Sequence, residues 1–289
     1  NCYICYVKPG KKHKEGSLVG KIYQRWNIHH RWQHILLFTS FILLTFTGLP
    51  IKYAYKSWAV HVTSIFGGFE TMFIIHKIAA IVMIIAAVYH LGYLAYCWLV
   101  KKQSSKAMIP GWKDVTDLLD HIVYCLGMSK KGAQFDRYSY KEKFDYWAVF
   151  WGIAIMVGSG LMMWFPGVTA HFVSRSVLDC AQVAHSDEAM LAIMAVFIWH
   201  FYNVHFSPQV FPMNKVWIDG KFSKAEMEEF HPLELERDEV PVLESDSEST
   251  AVSEHGRFRS NPVLIVVQMI VYAAILIWFL VGFLPLGLM

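Results

Sequence analysis

"HKIAAIVMIIAAVYH", residues 76–90, decides how this 289-residue chain is read. Between its two terminal histidines only Lys77 and the Tyr89 hydroxyl interrupt the hydrocarbon. The apolar run extends outward to about residues 71 and 100, longer than the 20 or so residues that cross a bilayer. An ionisable side chain in such a segment is costly to bury, so it marks function by default. Two imidazoles, one near each end of a membrane helix, need a purpose.

Four more stretches have the same character: roughly 34–51, 145–165, 184–206 and 263–286. Composition agrees, with 55% hydrophobic and 17% charged residues, against about 25% charged in a soluble domain. The expected fold class is an all-α integral membrane helix bundle with five transmembrane helices. It divides into a basic N-terminal segment (1–33), a four-helix core (34–206), an acidic loop (207–262) and a fifth helix (263–289).

The Lys/Arg count alternates between spans: seven before the first, two in loop 1–2, nine in loop 2–3, Arg175 alone in loop 3–4, and six in loop 4–5. Positive loops stay in the cytoplasm, which predicts an N-in/C-out topology. The lipid bilayer is thus the first partner. The net charge of +3, with no basic stripe carrying interleaved aromatics, excludes nucleic acid.

Loop 4–5 carries twelve acidic residues between Asp219 and Glu254 against Lys221, Lys224 and Arg237. It reads either as a solvated linker or as a docking surface for a partner subunit. The five cysteines, odd in number and mostly isolated, do not read as a disulfide framework. "CYICY" at the N-terminus has the spacing of c-type haem attachment, but Tyr6 stands where that motif needs His.

Helical geometry links the histidines. His76 and His90 are 14 residues apart, about −40° from whole turns and about 21 Å along the axis. His185 and His200 are 15 apart, about +60° and 22 Å. Both spans run the same way, so His76 and His185 share the outer depth, and His90 and His200 the inner. Imidazoles at two matched depths are what two stacked bis-His haems require. A zinc site would gather its ligands at one level. His34, about one turn into the first span, competes with His90 for the inner level. Gly152, Gly158 and Gly160 in the third span serve close helix packing or make room for a porphyrin face.

"RWQHILLFTSFILLTFTGLPIKY", "HKIAAIVMIIAAVYHLGYL", "EKFDYWAVFWGIAIMVGSGLMMWF" and "HSDEAMLAIMAVFIWHFYNVHFSP" resemble the cytochrome b subunits of respiratory formate dehydrogenases. They are also similar to those of thiosulfate reductase and nickel–iron hydrogenase. The likeness covers about residues 25–235. It implies two haem b groups, with His76 pairing with His185 on the outside and His34 with His200 on the inside. His90 is then a supporting residue or the alternative ligand.

Arg31 and Arg175 are candidate propionate partners, each equally readable as a flanking charge. The resemblance further implies exchange with a quinone, menaquinone or ubiquinone, with His29, His30 and His90 as candidate proton donors. Its partners would be an iron–sulfur or catalytic subunit in a bacterial or archaeal cytoplasmic membrane. Two other readings stay open. One is a quinol-oxidising cytochrome b feeding multihaem c-type cytochromes, and the other a metal-ion or proton transporter using the same histidines.

Overall fold

The computed structural model describes residues 22–102, 106–130, 132–207, 210–211, 213–237, 240, 242–243, 266–267, 270 and 273. Four helices are long and apolar enough to span a membrane: α1 (Ile28–Lys52), α3 (Phe69–Leu99), α5 (Tyr140–Trp164) and α7. The last runs through Arg175–Met194 and continues in π-helical turns at Ala195–His200 and Tyr202–Phe206. The chain is a multi-pass membrane protein. The expected fifth span falls almost wholly outside the described residues, as do Cys2 and Cys5.

The helices begin earlier than hydropathy alone places them, and polar caps extend α1 and α5 past their hydrocarbon. Asn27 caps α1 by accepting from the His30 amide at 3.0 Å. Ser139 and Glu142 form a reciprocal capping box that starts α5. α1 packs along α3 and α5 along α7, and the two pairs assemble side by side.

The α1–α3 seam is built from residues seven apart. Gln33, Ser40 and Thr47 are buried on α1, and Met72, Ala79, Ala86 and Tyr93 on α3. Small side chains here let the backbones approach, which supplies the packing that lipid cannot drive. Outward-facing Ile74, Ile78, Ile81 and Ile85 are exposed, as lipid contact requires.

Shorter helices fill the connections: α2 (Ser57–Ile65), α4 (Trp112–Cys125) and α6 (Pro166–Thr169). Part of the acidic stretch after α7 is folded. It holds α8 (Val216–Asp219), α9 (Lys224–Phe230) and α10 (Pro232–Glu236). It also contributes to a small antiparallel sheet of β1 (Ile22–Gln24), β2 (Lys221–Ser223) and β3 (Val242–Leu243), in the order β2-β1-β3. The bundle is thus all-helical with a three-stranded cap, an element that composition did not foretell.

Tyr23, Val216, Phe222, Met227 and Val240 form the cap's core. Each large apolar side chain buried there stabilises it by about 1.5–3 kcal/mol. Gly220 joins α8 to β2 at φ +76°, and its carbonyl accepts from the Arg25 and Trp26 amides at 2.7 and 3.0 Å. A Cβ there would collide with the Trp26 carbonyl, so only glycine closes this turn.

Beneath the sheet, buried Arg25 pairs with buried Glu234 at 2.6 Å, and Arg137 pairs with the other carboxylate oxygen. His231 contacts the Asp136 carbonyl through Nδ1 at 2.7 Å. The cap therefore bolts the acidic segment to the start of α1 and to the loop leading into α5.

Candidate haem-binding site

Four of the five predicted histidines fall into two groups at opposite ends of the bundle. At the end far from the cap, His76 on α3 and His185 on α7 lie close enough for their charges to interact. At the cap end His34 on α1 and His200 on α7 stand in the same relation. His90 on α3 lies at the cap level but is held apart from this pair.

The far pair is set up by hydroxyls. Thr47 Oγ1 donates its proton to the Leu43 carbonyl of its own helix at 2.6 Å and sits 2.8 Å from His76 Nδ1. Ser159 Oγ donates to the Ile155 carbonyl at 2.6 Å and sits 3.0 Å from His185 Nδ1. A hydroxyl has one proton, so with that proton committed it can only accept from the ring. Each imidazole is thereby fixed with hydrogen on Nδ1 and a free lone pair on Nε2, the form that binds metal.

The residue after each hydroxyl is glycine. A Cβ at Gly48 would lie 3.3 Å from His76 Cε1, and one at Gly160 would lie 3.1 Å from His185 Cε1. Thr47-Gly48 and Ser159-Gly160 are thus equivalent seats for the two rings.

The equivalence extends to the cap end. Fourteen residues before Thr47 is Gln33, whose Oε1 lies 3.0 Å from His90 Nδ1. Fourteen before Ser159 is Asp145, whose Oδ2 lies 3.0 Å from His200 Nδ1. The α1–α3 and α5–α7 pairs are two copies of one arrangement. The second copy has one more residue between its histidines, and the wider π turn at Ala195–His200 takes it up. This is why a strict 3.6-residue count puts His185 and His200 further out of line than the structure does.

His34 and Tyr146 occupy matching places, each one residue after Gln33 or Asp145. The Tyr146 hydroxyl is 3.0 Å from His90 Nε2, so both nitrogens of His90 are engaged by neighbouring helices. His34 is different. Its Nδ1 is buried without a hydrogen-bond partner, and its ring is edged by Trp26 at 5.4 Å and lies near Phe38 and Trp217.

Around that level, Arg31 Nε, Gln33 Nε2 and Trp199 Nε1 are also buried without partners. Orphaned donors of this kind, gathered on one level, fit a large polar-edged group seated among them. Among the described residues, no three His, Cys, Asp or Glu side chains converge as a compact metal site would require.

The family model for prokaryotic cytochrome b561 matches residues 25–210, nearly two thirds of the chain and all four spans. The chain belongs to the prokaryotic cytochrome b561 family. No curated protein matches it. As a family member it is a membrane cytochrome b that serves in electron transfer, and haem b is its implied prosthetic group.

The residues present fit that group. This cytochrome b offers neutral imidazoles with free Nε2 atoms, glycines beneath two of the rings, and unpartnered donors at the cap level. Of the predicted arginines, Arg31 lies at the cap level. Arg175 lies exposed in the first turn of α7 at the far end. There the cytochrome also joins α1 to α7 through Lys52, which contacts Asp187 at 2.7 Å and Ser186 at 3.0 Å.

Gln33, Asp145, Thr47, Ser159 and Tyr146 were not singled out from sequence. The paired 14-residue spacing of Gln33/Thr47-Gly48 and Asp145/Ser159-Gly160 is the signal that would have found them. His29 lies 2.7 Å from the Tyr89 hydroxyl and stacks on Tyr93, and buried His30 meets the edge of the same ring. They form an aromatic cluster at the cap end of α1 and α3.

Proposed function

We propose that this cytochrome carries electrons through two bis-His b haems between a partner redox subunit and the quinone pool of a bacterial or archaeal cytoplasmic membrane. His76 and His185 hold the far haem, and His34 and His200 the cap-level haem. The observation that carries the reading is the committed hydroxyl behind His76 and behind His185, which leaves each Nε2 free to ligate. His90 is a cross-link between α1, α3 and α5, because both its ring nitrogens are in use.

When bound, haem would supply one-electron transfer, held by the His76/His185 and His34/His200 imidazoles. The chain's own residues hold the rings in one tautomer, keep water out with the apolar spans, and set ligand basicity. Thr47 and Ser159 accept as neutral hydroxyls. Asp145 accepts with a carboxylate. Arg31 provides a cationic donor at the cap level, suited to a propionate.

The Lys/Arg asymmetry supports a cytoplasmic cap, and the apolar stretch 263–286 supports a fifth span leading outward. The likeness to formate dehydrogenase, thiosulfate reductase and nickel–iron hydrogenase subunits favours an iron–sulfur or catalytic subunit as partner over multihaem c-type cytochromes. Transport of metal or protons is disfavoured, since the two histidine levels are joined by hydrocarbon and no compact ligand cluster forms among the described residues.

The test is a dithionite-reduced minus oxidised spectrum with pyridine haemochrome quantitation on the purified protein. A b-type band with about two haems per chain supports the proposal. One haem per chain restricts it to a single pair, and none in a folded preparation returns the transporter reading.

A further inference from the structure

α4 presents its two sides the wrong way round for a helix in water. Asp114, Asp117 and His121 face the protein. Asp114 pairs with Lys143 of α5 at 2.9 Å, Asp117 is buried against Lys113, and His121 meets the Tyr140 ring edge-on. On the other side Val115, Leu118, Leu119, Ile122 and Leu126 form a continuous stripe, all exposed, with Leu126 at 68% and Leu119 at 56%. Thr116 and Asp120 lie between the two sides and are exposed. A helix that buries carboxylates and exposes leucines faces an apolar medium.

We propose that α4 lies along the membrane surface with its Val115–Leu126 stripe sunk in the boundary between lipid headgroups and acyl chains. Three observations select lipid as the occupant. First, α4 is fastened to the opening turns of α5, where that span leaves the bilayer, through the Asp114–Lys143 pair, and the turn just before α4 is held there too by Trp147 Nε1, which donates to the Met108 carbonyl at 3.0 Å.

Second, Phe144 and Trp151 in the first half of α5 are exposed as well, as a lipid-facing span requires. Third, the flanking segments carry Lys101, Lys102, Lys106, Lys130 and Lys131, which suit lipid phosphates, and Trp112 stands exposed at the helix start. At 14 residues the helix is about 21 Å long, too short to cross. It is an outrigger.

The experiment reconstitutes the full chain in vesicles of phosphatidylcholine and phosphatidylglycerol carrying a phospholipid with a diazirine in its acyl chain. Carbene adducts are then mapped by mass spectrometry. The peptide holding Leu118, Leu119 and Ile122 is expected to label within about threefold of the lipid-facing α3 peptide around Ile81 and Ile85. Leu119→Glu with Ile122→Glu, at two exposed positions of the stripe, should cut α4 labelling on the order of tenfold while α3 labelling stays. Labelling of wild-type α4 tenfold or more below α3, or cross-links from these residues into a second copy of the chain, overturns the proposal. Haem content enters neither readout.

Discussion

The Asp145 carboxylate lies 3.0 Å from His200 Nδ1, whereas the corresponding partners of His76 and His185 are the neutral hydroxyls of Thr47 and Ser159. A carboxylate that accepts from Nδ1–H pushes electron density onto Nε2 and favours the more oxidised state of a bound metal. The cap-level haem is therefore expected to have the lower potential of the two. Asp145→Asn should raise that one potential by on the order of 60 mV, a tenfold change in relative stabilisation for one electron. Redox potentiometry of both haems checks this, and equal movement of the two would show a merely structural effect.

Removing the hydroxyls should act on the other haem. Thr47→Val leaves the His76 tautomer unset, and Ser159→Ala does the same for His185. Each is expected to weaken far-level haem retention by about 10–100-fold, read as haem lost per chain on dilution into apo-myoglobin. The cap-level haem should stay.

His34 and His90 separate cleanly. His34→Ala should lose the cap-level haem and its spectral component. His90→Ala should keep both haems but strand Gln33 and Tyr146, costing about 1–3 kcal/mol of stability. Thermal unfolding in detergent, followed at the haem band, distinguishes them. Loss of a haem in His90→Ala with none lost in His34→Ala would reverse the assignment.

The cap should loosen in acid. Burial, helped by the Arg25 charge, lowers His231 from 6.5 to about 4. Its folded pKa lies below its unfolded one, so its contribution is fully present above pH 6.5 and is lost as pH falls toward 4. The loss is about 3 kcal/mol. For Glu234, burial pushes upward, but Arg25 and Arg137 outweigh it and hold the carboxyl below its usual range. Its contribution therefore also falls away at still lower pH. The protection factors of the β1 and β2 amides, with exchange corrected for its intrinsic pH dependence, should fall between pH 6.5 and 4, and His231→Gln should flatten that fall.

Four spans could be read from sequence because bilayer thickness sets a minimum length of hydrocarbon, and α1, α3, α5 and α7 each meet it without help from the rest of the fold. Rise per residue, with the alternating direction of the spans, set His76 and His185 at one expected depth and His90 and His200 at the other, and left His34 and His90 competing for the inner level. What tertiary structure decided is what those rings touch. The partners of His90 and His200 come from other helices more than fifty residues away, and only the repeated 14-residue spacing to Thr47 and Ser159, not their immediate neighbours in the chain, marks Gln33 and Asp145.

The π turn before His200 alters the helical period that the sequence count assumes. Strands of two or three residues are too short to show alternation, and the acidic segment can bury Glu234 because Arg25 and Arg137 from elsewhere pair with it. Hydrophobicity against lipid is a property of each segment by itself, whereas hydrogen bonds and ion pairs exist only once segments meet.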